Sequence, residues 1–326
     1  MEKALEPARP GCNRCAATAE RGANRVRGRH AVISEQTYAD RHWTSADGLR
    51  LHYRDYPAAV AAGERAPVIC LHGLTRNARD FADLAEFLAP TGRRILVPEM
   101  RGRGDSEYAR NAATYNVGQY VADLNALREQ EGIDRYVAIG TSMGGLMTMV
   151  QAMHDPAPIA AAVLNDIGPV VDPAGLERIM DYVGQGGSYP TWIHAARALE
   201  ELHKAAYPGF DLDDWLQMAK RTMTLCGNGR IAHDYDMSIA EPLRAADGDK
   251  AAAPADLWPG FDALAQRPLM LIRGELSNLL SQATFAEMRA RAPHAAVVSV
   301  PEIGHAPTLD EPCVRSALGD FMARLD

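Results

Sequence analysis

Apolar residues along this chain fall into two alternating rhythms. Residues 38–44 and 49–56 read as strands joined by Ser45-Ala46-Asp47-Gly48, which supplies hairpin turn chemistry. Val68-Ile69-Cys70-Leu71 is short and unalternated, as a strand buried on both faces requires, and it ends at His72-Gly73. The period then changes, with Phe81, Leu84, Ala85 and Leu88 sharing one helical face over residues 77–88. The cycle repeats as a strand at 94–98, a helix at 115–130, a strand at 135–140 and a helix at 143–154. Three more buried strands are expected at 160–164, 269–273 and 296–300, with closing helices at 285–292 and 314–325. This alternation predicts an α/β fold: a mostly parallel, doubly wound eight-stranded sheet covered on both faces.

Residues 170–258 break the rhythm. They hold no convincing strand but several amphipathic stretches, the first opened by Asp172-Pro173 as N-cap and first helical residue, the next at 192–203 and 213–225. Bulky residues here (Tyr182, Trp192, Tyr207, Trp215, Met218, Met223) suit either a substrate pocket or a small core of the segment's own. The expectation is a helical lid at 170–258 inserted into a core made of 35–169 and 259–326. Residues 1–34 are rich in Arg, Ala, Gly and Pro with no period of 2 or 3.6, and read as a disordered basic extension.

Composition narrows the functional classes. With 326 residues and 47% hydrophobic, the chain can bury one large core with an insertion. A net charge of -8 argues against nucleic acid as a partner, and no stretch approaches the ~20 apolar residues of a membrane span. Five scattered cysteines make no disulfide framework, and Cys12 and Cys15 lack the second pair that a zinc site needs. The expectations are a cytoplasmic protein with no metal or organic cofactor and a small-molecule substrate, with a homodimer left open.

Gly140-Thr141-Ser142-Met143-Gly144-Gly145 places a G-x-S-x-G between a buried strand and a helix. Small residues there permit a sharp turn that lifts the Ser142 hydroxyl above the sheet, and the following N–H groups open toward developing negative charge. His72-Gly73 ends an earlier strand, so the N–H of Leu74 can join that of Met143 in an oxyanion hole. His72 itself reads as a buried, loop-shaping histidine at the margin of the pocket. A serine hydroxyl needs a neutral imidazole to take its proton. Of ten histidines, His305 stands in a loop after the final strand, where the order Ser…acid…His places the base.

Leu71-His72-Gly73, Arg101-Gly102-Arg103-Gly104-Asp105-Ser106, the Gly140–Gly145 run and Gly304-His305 together resemble the α/β-hydrolase family. The resemblance runs from about residue 38 to 325, and is to the lidded branch of esterases, lactonases, carbon–carbon bond hydrolases and haloalkane dehalogenases. It implies a Ser142–His305 pair acting by acyl transfer, with Trp192, Trp215 and Met223 beside His72 as pocket candidates. Dehalogenases of this branch use an Asp nucleophile, so Ser142 argues against that chemistry. The family most often places its acid after the strand preceding the histidine, and here Asn278 stands where an Asp is expected, near Glu275. Some lidded relatives carry the acid at the end of the strand after the nucleophile helix, a place that Asp166 resembles. The expected activity is hydrolysis of a small to medium, largely hydrophobic ester or lactone. Alternatives are a carbon–carbon bond hydrolase of a vinylogous diketone acid, which would need a cationic carboxylate anchor, and a non-hydrolytic ligand receptor.

Overall fold

The strands that end at His72, Ser142 and Asp166 sit side by side at the middle of one sheet. A computed structural model describes residues 37–58, 65–246 and 256–325, so the basic segment 1–34 and its Cys12/Cys15 pair lie outside the described residues. Along the chain come β1 (Ala39–Thr44), β2 (Arg50–Tyr56), β3 (Val68–Leu71), α1 (Ala82–Leu88), β4 (Ile95–Pro98), α2 (Val117–Gln130), β5 (Tyr136–Thr141), α3 (Met143–His154) and β6 (Ile159–Asn165). The expected insertion follows as α4 (Pro173–Tyr182), β7 (Ser188–Tyr189), α5 (Trp192–His203), α6 (Leu212–Thr222), β8 (Met223–Leu225), β9 (Ile231–His233) and α7 (Ala240–Ala246). The chain closes with α8 (Trp258–Leu264), β10 (Leu269–Gly274), α9 (Gln282–Arg291), β11 (Ala296–Val300) and α10 (Pro312–Ala323).

The large sheet has eight strands in the order β1-β2-β4-β3-β5-β6-β10-β11. Only the first two neighbour pairs are antiparallel; the others run parallel. The unalternated strands β3, β4, β5 and β10 are buried along nearly their whole length. One core cluster, containing Leu124, Met147 and Phe261, packs on one face of the sheet, and a second, containing Phe81, Leu88 and Leu318, on the other.

Two features depart from the sequence reading. The segment 170–258 does contain strands: β7, β9 and β8 form a three-stranded antiparallel sheet. Two or three residues each are too short to show a period of 2, and their partners lie apart in sequence. Met223–Leu225, expected as the end of a helix, is β8 because α6 stops at Thr222. Its final carbonyls are capped from the core, where Arg79 Nε donates to the Lys220 and Arg221 oxygens at 3.1 Å each. The second departure is α8, not anticipated, whose fully buried Phe261 and Leu264 join the main core cluster. Trp192, Tyr207, Trp215, Met218 and Met223 gather with Ala195 and Leu199 in a separate core inside the insertion.

Candidate active site

Ser142 sits at the turn from β5 into α3 with φ 51° and ψ −114°, a backbone conformation that costs free energy and persists only where the surroundings enforce it. Gly144 is what lets the chain fold so tightly, since a Cβ there would lie 2.0 Å from the Leu71 carbonyl oxygen of β3. The serine N–H donates to the Asn165 carbonyl at 3.0 Å, which fixes the turn against the end of β6.

His305 Nε2 lies 2.9 Å from Ser142 Oγ, and its Nδ1 lies 2.7 Å from Asp166 Oδ2. An ionised carboxylate only accepts, so Nδ1 carries the proton and Nε2 offers its lone pair to the serine hydroxyl. Asp166, at φ 55° and with no exposed surface, also accepts from the Gly274 N–H at 2.9 Å and from the Ser277 hydroxyl at 2.7 Å. The Ser277 loop is held in turn by Arg273, which donates to the carbonyls of Glu275, Ser277 and Leu280. Thus the loop where the family resemblance expects an acid supplies hydrogen-bond donors to Asp166 instead. Asn278 and Glu275 are exposed there, and Glu275 accepts from the Glu302 N–H.

The histidine loop is anchored from two sides. Asn165 Nδ2 donates to the Pro307 carbonyl at 2.9 Å, while from the insertion Tyr207 Oη donates to the Ala306 carbonyl at 2.8 Å and accepts from its N–H at 3.1 Å. On the other flank, Met143 is the first residue of α3, so its N–H has no partner within the helix. Leu74 lines the cleft beside Ser142, and fully buried Arg103 braces both residues, donating to the Leu74 carbonyl at 2.9 Å and lying 3.8 Å from Met143 Sδ. The arrangement can draw a proton from Ser142 to His305 with a buried charge behind it, next to N–H groups at a helix N-terminus.

A family model described as alpha/beta hydrolase fold matches residues 66–312. The chain belongs to the α/β-hydrolase fold family. It is similar to the 3-hydroxybutyrate-oligomer hydrolase of Cupriavidus necator, 35% identical over 75% of this chain and 84% of that protein. It is also similar to a zebrafish (Danio rerio) protein named sn-1-specific diacylglycerol lipase ABHD11, 25% identical over 79% of this chain and 78% of that one. Among solved structures it is similar to an alpha/beta hydrolase from Novosphingobium aromaticivorans, with 57% identity and a TM-score of 0.83 over 88% of this chain and 99% of that one. The protein is therefore a hydrolase of α/β fold, and no helix among the described residues is long and apolar enough to cross a membrane.

The cleft of this α/β hydrolase is narrow, about 90 Å³, where pockets for drug-sized ligands run to roughly 300–1,000 Å³. Its walls correct the expected pocket. Trp192, Trp215 and Met223 do not line it, because their side chains are spent on the core of the insertion; Trp215 stacks edge-on with Tyr207 and Phe210. His72 does not line it either: its Nδ1 donates to the Gly73 carbonyl and its Nε2 accepts from the Met100 N–H. Burial pushes the His72 pKa down to about 4, so it is a neutral brace between two loops. Instead the insertion contributes Ile179, Tyr182, His203, Tyr207, Met218 and Arg221. The core adds Arg76 and Asp80, which make the cleft more polar than the sequence suggested. Of these, Tyr182, Tyr207 and Met218 stand among the bulky residues that the sequence offers for a pocket, whereas Arg76, Asp80, Ile179, His203 and Arg221 carry no signal there, because no local pattern distinguishes a helical side chain facing a cleft from one facing its own helix bundle.

Proposed function

We propose that this protein is a serine carboxylic ester hydrolase for esters or lactones with a short acyl group, working through an acyl-enzyme. The observation that carries the reading is the unbroken hydrogen-bond chain Ser142–His305–Asp166, with a serine at the strained turn and a fully buried carboxylate at the far end. His305 takes the Ser142 proton as the oxygen attacks the ester carbonyl, and the N–H groups of Leu74 and Met143 hold the oxyanion. Collapse breaks the bond to the alkoxy leaving group, which departs with the proton from His305. A water then attacks the acyl-enzyme by the same route, releasing the acid and restoring the serine. Each oxyanion donor contributes about 2.7–4 kcal/mol to such a transition state.

Two further observations support a short acyl group. The cleft volume suits a few heavy atoms on the acyl side and leaves little room for a long chain. The C. necator relative is named for an oligomer of a short hydroxy acid, whose units are joined by ester bonds. The insertion would then act as a lid that shapes the cleft without supplying the reacting groups. A fluorophosphonate probe should label the parent protein and not Ser142→Ala, and a panel of p-nitrophenyl esters, lactones and 3-hydroxybutyrate dimers should show turnover falling as the acyl chain lengthens. Equal labelling of both proteins, or turnover at background across the panel, would remove this reading.

A further inference from the structure

We propose that Arg76 forms an anion subsite in the cleft, which selects esters carrying a carboxylate within a few bonds of the scissile carbonyl. This rests on the ester-hydrolase reading above and names its substrate class. Arg76 lies on the same loop as Leu74, after β3, and its stem runs close to the nucleophile. The Cβ position at Gly73 is 3.2 Å from Arg76 Cγ and 3.8 Å from Ser142 Cβ. Both groups line one cleft.

The guanidinium is oriented and only partly used. Asp80 binds it bidentately, through Nε at 2.6 Å and Nη2 at 2.8 Å, while Nη1 has no hydrogen-bond partner among the described residues. The cleft's other cation, Arg221, is already engaged by Asp83 and by Asp310. Facing Arg76 from the insertion are Tyr182 and His203, packed edge to face with ring centroids 5.2 Å apart. Neither the Tyr182 hydroxyl nor the His203 imidazole makes a hydrogen bond among the described residues. Burial first, and then the positive charge of Arg76, push the His203 pKa down to about 3, so this imidazole stays neutral and keeps one N–H to donate. Acyl transfer at Ser142 uses none of these three groups. A guanidinium N–H pair, a neutral imidazole N–H and a phenol on one small cleft match a carboxylate, which only accepts.

The test compares two isosteric esters differing only in charge: the monomethyl ester of glutaric acid and the methyl ester of its monoamide. Both are followed in a pH-stat at pH 7.5, with the parent protein, Arg76→Gln and Arg76→Lys. The parent should prefer the anionic ester by about tenfold to a hundredfold in kcat/KM, as a charge-assisted hydrogen bond warrants. The ratio should fall to about one or below in Arg76→Gln and be partly kept in Arg76→Lys. Should Arg76→Gln fold poorly, raising the salt from 0.05 to 1 M with the parent protein must erode the same preference. A parent ratio at or below one, or a ratio unchanged in folded Arg76→Gln, overturns the proposal while leaving the hydrolase reading intact. Absence of both ester turnover and fluorophosphonate labelling would instead overturn the proposed serine ester-hydrolase activity, and this inference with it.

Discussion

Asp166→Asn is the sharpest perturbation of the site, and its effect follows from the donors around that carboxylate. Three groups donate to Asp166: the Gly274 N–H to Oδ1, and Ser277 Oγ and His305 Nδ1 to Oδ2. The Gly274 N–H cannot reverse its role, so an asparagine must keep its carbonyl oxygen on that side. Its NH₂ then faces Ser277 and His305. The serine hydroxyl can rotate and accept, but His305 Nδ1 must give up its proton to accept from the amide. The proton moves to Nε2, where it meets Ser142 Oγ and blocks the base. The variant therefore selects the wrong tautomer and also loses the charge that stabilises the imidazolium. In a serine protease the equivalent exchange costs about 10,000-fold in kcat, or roughly 5.5 kcal/mol of transition-state stabilisation. Here kcat on a short-chain p-nitrophenyl ester should fall by about three to four orders of magnitude with KM changed less than about threefold. Melting temperature should stay close to that of the parent, because the asparagine keeps a partner for each of these three groups and leaves no buried charge uncompensated. Adding Asn278→Asp should not restore activity, since residue 278 is exposed on a loop whose carbonyls Arg273 pins. A folded Asp166→Asn protein within tenfold of the parent would refute this assignment of the acid.

Further expectations concern the supports of the site. Tyr207→Phe removes both hydrogen bonds to the Ala306 backbone, leaving those groups unpaired; a loss of about 1–3 kcal/mol in urea unfolding is expected, with a lower kcat because His305 is next in the chain. Gly144→Ala places a Cβ 2.0 Å from the Leu71 carbonyl oxygen, so it should unfold or insolubilise the protein, and recovery of soluble protein with parental melting temperature would contradict the steric argument. Burial alone would lower the pKa of His52, but the Glu99 and Asp40 carboxylates outweigh it and raise the value. A raised folded value means the stabilisation is fully present below the ordinary histidine range and is lost as pH rises through the folded value. Unfolding free energy measured from pH 6 to 9 should thus decline more steeply for the parent than for His52→Gln, and parallel curves would exclude the linkage.

The comparison of pattern with structure turns on how far apart the cooperating residues lie. Buried strands such as Val68–Leu71 and Tyr136–Thr141 were legible because residues covered on both faces read as continuous apolar runs, whatever their neighbours. The G-x-S-x-G turn was legible for a similar reason, since close approach of α3 to β3 demands small residues at fixed offsets. The end of α6 was not, because Arg79, well over a hundred residues earlier, terminates it. The strands β7, β8 and β9 were missed because a two- or three-residue strand exists only through its partner.

What the sequence by itself determined, then, was the order and kind of the main elements, the turn that carries Ser142 and the loop that carries His305. Each is written in residues within one turn or one strand of each other, where backbone sterics and burial act locally. The choice among Asp166, Glu275 and Asn278 stayed open in the sequence, since it depends on which loop end lies against the imidazole. The parallel pairing of β6 with β10 leaves Asp166 within hydrogen-bond reach of that imidazole. That pairing brings Asp166 of one strand end beside Gly274 and Ser277 of the next, and so turns a loop without an acid into the hydrogen-bonding cradle of a carboxylate from elsewhere. The cleft was decided in the same way: packing sends the tryptophans of the insertion into their own core and leaves Arg76, Tyr182 and His203 facing the serine's pocket.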